Sequence, residues 1–283
     1  SQHVQMHCNR PGDRENWGRA YPRHGKKTMP LEIVTIPCLK DNYAFLAHDP
    51  ATGETAVVDV PEAAPVRAAL EDRGWRLTLI LITHHHWDHV QGVDELRAAT
   101  GAAVVGAAAD AHRLPPLDRA VTAGDTLAIG AETGTVIDVS GHTMGHVAYH
   151  FPDSGVVFTA DSLMALGCGR LFEGDAATMW KSLSRLAALP GDTLVCSGHE
   201  YTAANAKFAL TIEPDNAALT SRAEAIETAR AEGRPTVPST LAEELATNPF
   251  LRAGQPAVKA AVGMPDATDA EVFAEIRARK DDF

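Results

Sequence analysis

Residues 83–89 read THHHWDH and follow directly on the apolar run LTLILI at 77–82. Five of those seven side chains are able to bind a metal ion. A continuous apolar run of that length reads as a strand covered on both faces. The polar cluster therefore stands at a strand end, where scaffolded sites are usually carried. Histidine mixed with carboxylate suits borderline and hard divalent cations, and the absence of cysteine argues against a purely structural zinc site. His84 and His86 can face one point while Asp88 and His89 face another, so a cluster this tight hints at two ions. His85, between them, is expected to point away.

Three further candidates recur at the same station, each after an apolar strand-like run: His142 in VIDVSGHTMGH, Asp161 in VVFTADS and His199 in LVCSGHE. Seven ligands on four loops would serve two ions about 3.5–4 Å apart, the spacing of two-metal hydrolytic sites. His146 reads as a hydrogen-bonding support for the ligands. His3, His7, His24, His48, His112 and His150 stand in no motif and receive no role, since an isolated histidine is ordinarily a hydrogen-bonder on the surface or in the core.

Around this cluster the pattern alternates strand and turn. LEIVTIP, YAFLAH and TAVVDV read as strands, EAAPVRAALEDRGW and GVDELRAATG as helices, AAVVGA, DTLAIG and TGTVIDVSGHT as strands. HVAYHF and VVFTAD form a hairpin about Pro152–Gly155. The segment AATMWKSLSRLAALPGD is a helix with Met179, Leu183 and Leu186 on one face and Asp175 as its cap. After Tyr201 strand signals stop. Helices remain, two of them announced by capping-box spacing at Thr240/Glu243 and Thr268/Glu271. Strands with interspersed helices followed by a helical tail predict two domains, 29–200 and 201–283.

The 283 residues are 45 % hydrophobic and 22 % charged, with a net charge of −12. That acidity disfavours a phosphate backbone as partner, so no nucleic acid is expected. Cys8, Cys38, Cys168 and Cys196 lie too far apart for a disulfide framework, which favours a reducing cytoplasm. No apolar run is long enough to cross a bilayer, so no membrane partner is expected either. Residues 1–28 are polar, without period and without an apolar signal core. They read as a leader, upstream translation or an appended extension, with Met29 as the natural start. No GxSxG elbow is present, and Cys168 and Cys196 read as small buried residues rather than nucleophiles.

THHHWDH with GHT, TADS and SGHE, in that order, resembles the metallo-β-lactamase superfamily, whose pattern is HxHxDH followed by His, Asp and His. The resemblance implies an α+β fold, a four-layer αββα sandwich, here with a C-terminal helical domain. TIPCLKDNYAFL (35–46), GCGRLFEG (167–174), GHEYTAANAKFA (198–209) and IRARKDDF (276–283) narrow it further. They look like the hydroxyacylglutathione hydrolase (glyoxalase II) family, over nearly everything from Met29 to Phe283. By that resemblance His84, His86 and His142 hold one metal, Asp88, His89 and His199 the second, and Asp161 bridges both. Zinc is the first choice of metal, with iron or manganese as alternatives. The glutathione portion would be bound by Arg170, Leu171 and Phe172, by Tyr201, and by Arg277 and Lys280. Phe172 stands where some members carry tyrosine, and TADS replaces the commoner TGDT.

What the resemblance implies is hydrolysis of S-(2-hydroxyacyl)glutathione thioesters, typically S-D-lactoylglutathione, by a cytoplasmic monomer, as the second step of methylglyoxal detoxification. Two ions lower the pKa of a shared water from 15.7 towards about 7, and Asp88 would orient it. A glutathione conjugate is anionic, so a −12 protein must gather cations locally. Arg277 and Lys280, three apart on a helix, face one side. Their blander alternative is a solvated helix end favoured by the dipole. Rivals within the fold are a persulfide dioxygenase, a lactonase or a β-lactamase, from which the helical tail distinguishes this chain. A non-catalytic di-iron redox protein is a rival from another class, opposed by His86 at the third ligand position.

Overall fold

The computed structural model describes residues 30–283; the leader expected over 1–28 lies outside them. The first half builds β1 (Glu32–Cys38), β2 (Asn42–His48), β3 (Glu54–Val58), α1 (Ala63–Arg73), β4 (Arg76–Leu81), α2 (Trp87–Val90), α3 (Val93–Thr100), β5 (Ala103–Ala107) and β6 (Arg119–Val121). The second half gives β7 (Thr126–Ile129), β8 (Glu132–Asp138), β9 (Val147–Phe151), β10 (Val156–Ala160), β11 (Leu163–Met164), β12 (Gly167–Cys168), α4 (Ala176–Ala187) and β13 (Leu194–Ser197). The tail supplies α5 (Thr202–Ile212), α6 (Ala217–Ala231), β14 (Ser239–Thr240), α7 (Leu241–Thr247), α8 (Pro256–Ala261) and α9 (Asp269–Asp282).

Two six-stranded sheets result, in the orders β1-β2-β3-β4-β5-β6 and β14-β13-β10-β9-β8-β7. Period-two alternation explains how they stack. In the wholly buried β2, Phe45 and Ala47 enter the core between the sheets, while Ala44 and Leu46 turn outward beneath α1 and α3. In β10, Val156 and Phe158 enter the shared core and Val157 faces the helices on the other side. Met179, Leu183 and Leu186 of α4 pack there beside Phe208, Phe250, Val272 and Phe273 of the tail. The layers are helix, sheet, sheet, helix, as the family resemblance implies.

Strand direction then places the ligands. β3 and β4 are parallel, and so are β10 and β13; β8 runs antiparallel to β9, which runs antiparallel to β10. The ends of β4, β8, β10 and β13 therefore open on one edge of the sandwich, and each candidate ligand loop starts there.

The capping boxes at Thr240 and Thr268 form as predicted, and Asp175 caps α4. One expectation is corrected: strand signals do not end at Tyr201, because Ser239 and Thr240 pair with β13 as an edge strand. Two residues are too short to show a period. The tail is tied down at this point by Glu244, whose fully buried carboxylate accepts from Leu166 N (2.9 Å), Ser239 Oγ (2.7 Å), Asn248 Nδ2 (3.0 Å) and Arg222. Replacing Glu244 by Ala strands the Arg222 charge and three donors, and is expected to cost about 3–5 kcal/mol. A urea denaturation midpoint equal to that of the unsubstituted chain would contradict this.

Candidate metal centre

Asp161 lies at the middle of the cluster. Its Oδ2 is 3.3 Å from His89 Nε2, 3.3 Å from His199 Nε2, 3.4 Å from His142 Nε2 and 3.8 Å from His84 Nε2. Among the described residues three sets of side chains have donor atoms close enough to share an ion: His84, His86, His142 and Asp161; Asp88, His89 and His199; and Asp59, His84 and His89, whose Asp59 instead hydrogen-bonds the outer nitrogen of His89. All seven residues singled out from the sequence are thus brought together.

The tautomers follow from the partners behind the rings. Asp59 accepts from Thr83 N (2.8 Å), Thr83 Oγ1 (2.7 Å) and His89 Nδ1 (2.8 Å). With the Thr83 hydroxyl proton committed to Asp59, that oxygen accepts from His84 Nδ1 at 3.0 Å. His142 Nδ1 donates to the Arg170 carbonyl (2.8 Å) and His199 Nδ1 to Asp41 (3.0 Å). Four rings therefore turn Nε2 inward, while His86 presents Nδ1.

Without a cation, such an arrangement is unfavourable. His142 Nε2 meets His86 Nδ1 at 3.0 Å and His89 Nε2 meets His199 Nε2 at 3.3 Å, ring nitrogen crowded against ring nitrogen. His84 Nε2 and Asp161 Oδ1 are buried with no hydrogen-bond partner. Burial, with neighbouring rings, drives His84 well below the usual imidazole range and His86 to about 4. Burial also opposes charge on His89, but Asp161 and Asp59 outweigh it and raise that ring. Against its own burial, Asp161 is held strongly ionised by His89 and His199. Against its own burial, His199 is raised as well, by Asp161 and Asp41. Rings that stay neutral (His84, His86, His142) and rings that hold a proton against a buried carboxylate (His89, His199) fit divalent cations, which would take the protons' place.

His146 does not join the ligands. Its Nδ1 donates to Val147 O (3.1 Å) and its Nε2 accepts from Asp161 N (3.3 Å), so it braces the central carboxylate from behind. His85 points away, towards Asp110 and Glu173. Asp88 receives two hydrogen bonds from the Asn42 amide, at its carboxylate (2.9 Å) and its carbonyl (3.1 Å). Asp59, Asn42 and Asp41 were not singled out from the sequence. Only Asp59 left a trace there, as a lone acid ending the apolar run TAVV at the same station as the ligands.

A cavity of about 450 Å³ lies beside the cluster, lined by Arg170, Phe172, Tyr201, Arg277 and Lys280 together with Cys168 and Asn205. Phe172 is 64 % exposed and sets its ring edge against His86 and His142, at 5.6 and 5.2 Å. Arg277 is not a solvated helix end. Only 5 % exposed, it donates to Cys168 O (2.9 Å) and Asp281 (2.8 Å), and its Nε has no partner. Leu171 departs from expectation: it turns from the cavity and packs on the apolar core shared with the tail.

Residues 44–199 match the family model described as metallo-beta-lactamase superfamily, and the fold agrees. A B3 metallo-beta-lactamase, BLEG-1, superposes with a TM-score of 0.61 at 22 % identity, over 78 % of this chain and 99 % of its own. TTHA1623, solved in a di-iron-bound form, is 28 % identical with a TM-score of 0.52, over 59 % of this chain and 91 % of its own. The fold and the His/Asp site thus define a member of the metallo-β-lactamase superfamily. Residues 200–283 match the model described as hydroxyacylglutathione hydrolase C-terminus. A hydroxyacylglutathione hydrolase of Cereibacter sphaeroides is 70 % identical over 255 residues, 90 % of this chain and all of that protein. The chain belongs to the hydroxyacylglutathione hydrolase family.

Asp59→Asn would turn an amide donor towards groups that need an acceptor and loosen His84 and His89 together. Metal affinity is expected to fall about 10–100-fold, read by chelator competition with elemental analysis. Affinity equal to that of the unsubstituted chain would remove Asp59 from this role.

Proposed function

We propose that this chain hydrolyses S-(2-hydroxyacyl)glutathione thioesters, S-D-lactoylglutathione foremost, to the hydroxy acid and free glutathione. One observation carries the reading: a cavity lined by Phe172 and Tyr201, whose rings pack on His86, His142 and His199, also holds a buried Arg277 and its neighbour Lys280. His84, His86 and His142 would hold one divalent ion, Asp88, His89 and His199 a second, and Asp161 both. Zinc is the first choice, and iron or manganese suit the same donors. When bound, such ions supply a water of lowered pKa and polarise the thioester carbonyl.

The remaining work belongs to the chain. Asp88 keeps its carboxylate partly open to solvent and held by Asn42, where it can accept a proton from the attacking water and aim it. Burial, then Arg277 and Arg170, lowers the Lys280 pKa, and an anionic ligand relieves that crowding of positive charge. Burial, then Asp41, raises the Tyr201 phenol to about 12, so it stays a hydrogen-bond donor at neutral pH. Phe172 screens the His86 and His142 side of the cluster from water. The leaving thiol has a pKa near 8.5 and departs as thiolate without a strong acid.

The two family models divide this chain at 199/200, which supports a catalytic domain over 29–200 and a glutathione-binding domain over 201–283. No helix among the described residues is long and apolar enough to cross a membrane. From the family membership we infer a cytoplasmic enzyme, and we read it as a monomer.

The test follows loss of thioester absorbance from S-D-lactoylglutathione. Rapid turnover is expected, abolished by a strong chelator and restored by added zinc. An Arg277→Ala, Lys280→Ala double variant should raise KM about 100-fold or more, as two charge-assisted contacts are lost. No turnover by the fully metallated chain would discard the reading.

A further inference from the structure

Three hydrogen-bonded residues outside the ligand set act on the loop that walls the cavity. Residues 169–174, GRLFEG, form no helix or strand. Both ends are pinned by glycine: Gly169 N donates to Ser162 O (3.1 Å) and Gly174 N to Gly141 O (3.0 Å). A Cβ on Gly169 would lie 1.9 Å from the Asp161 carbonyl, so the loop runs hard against the centre of the cluster. Between those ends the loop carries Arg170 and Phe172 outward, with their side chains largely in solvent. Its polar ties there are the His142–Arg170 carbonyl bond, a 3.8 Å approach of Arg170 to Asp281, and the Glu173 side chain, which alone of the three holds the half nearest Gly174.

Glu173 is held closely. Its carboxylate takes Arg113 in a two-point pair (2.6 and 2.9 Å) and accepts from Met144 N (2.8 Å), on the same segment as His142. Arg113 Nε in turn donates to Asp110 (2.9 Å). Asp110 is 3 % exposed and lies against Gly145 so closely that a Cβ there would sit 2.1 Å from its carboxylate. The fork of a guanidinium fixes direction as well as distance, which an ammonium does not. The Arg113–Glu173 pair pulls Glu173 down to about 2, so it stays charged across the neutral range.

We propose that Arg113, set by Asp110 and gripping Glu173, is a positioning residue for substrate: it fixes the 169–174 loop so that Arg170 and Phe172 face the cavity. It touches neither the ligand cluster nor the cavity lining. Its effect falls on how well the glutathione half is bound, and that part of the statement rests on the function proposed above. A group that positions a binding wall changes ground state and transition state alike, raising KM with kcat little altered.

The experiment compares Arg113→Met, Arg113→Lys and Glu173→Gln in the metal-loaded protein. Arg113→Met is expected to raise KM, and the competitive inhibition constant of free glutathione, each by about tenfold, the loss of one charge-assisted contact. Metal content should stay unchanged and kcat within about twofold. Arg113→Lys and Glu173→Gln should fall between it and the unsubstituted chain, and the Arg113→Met, Glu173→Gln double variant should match Arg113→Met alone, because both act through one contact. Hydrogen exchange of the 169–174 peptide should quicken in Arg113→Met while that of β4 and β10 does not. Unaltered KM and unaltered exchange would overturn the proposal, as would a parallel fall in kcat, metal content and Tm, the mark of general destabilisation. The exchange arm needs no turnover, so it separates failure of the clamp from failure of the thioesterase reading.

Discussion

One buried carboxylate oxygen, Asp161 Oδ2, has four imidazole nitrogens within 3.8 Å. Protein interiors do not assemble such a knot without compensation, because crowded ring nitrogens and a desolvated charge are costly. Everything nearby manages that cost. Asp59, Asp41 and the Arg170 carbonyl hold the outer ring nitrogens and turn the inner ones towards Asp161. His146 takes the Asp161 backbone N–H. Ala160, just before Asp161, sits at φ +43°, a left-handed conformation that costs a residue with a Cβ roughly 1–2 kcal/mol. Asp59 is likewise at +56°. Backbone strain on two strands is thus accepted to aim two carboxylates.

The helical tail is joined to this centre rather than merely appended. It covers the outer face of the second sheet, adds β14 to that sheet's edge, and grips the Leu163–Cys168 hairpin through Glu244 and Asn248. Arg277 reaches back to the Cys168 carbonyl. The same hairpin leads into the loop whose Gly169 lies against Asp161. Packing of the tail and geometry of the ligand cluster therefore meet within a few residues.

The candidate ligands were legible because metal chemistry leaves a local mark: four donors within six residues, then three more at the same station after apolar runs. The alternation of strand-like and helical segments and the capping boxes were legible in the residues themselves, whereas the four-layer arrangement came from the family resemblance of the ligand motifs. What supports the site was not legible in the same way. Asn42 and Asp88 are 46 residues apart, Asp59 and His89 30, Arg113 and Glu173 60. Each is a single polar residue whose partner only the folded sheets supply. β14 escaped because two residues show no period. That the Leu171 side chain packs on the core while those of Arg170 and Phe172 line the cavity was likewise not legible, since neighbouring residues of one loop share a motif but not a direction. The alanine of TADS, which reads as a small departure from TGDT, proves to occupy a conformation that glycine adopts at no steric cost.

The candidate ligands come from both sheets, and their order in the chain sets the order in which they are made. His89 leaves the ribosome 110 residues ahead of His199. At about 5–20 residues per second that is an interval of roughly 5–20 s in which half a cluster exists and its counterpart does not. An ion captured then would sit in an open, exchangeable site, so secure loading waits for β13 to dock beside β10. Arg277 and Lys280 emerge later still. The last candidate ligand thus leaves the ribosome after Arg170 but before the two cations of the tail that complete the cavity wall.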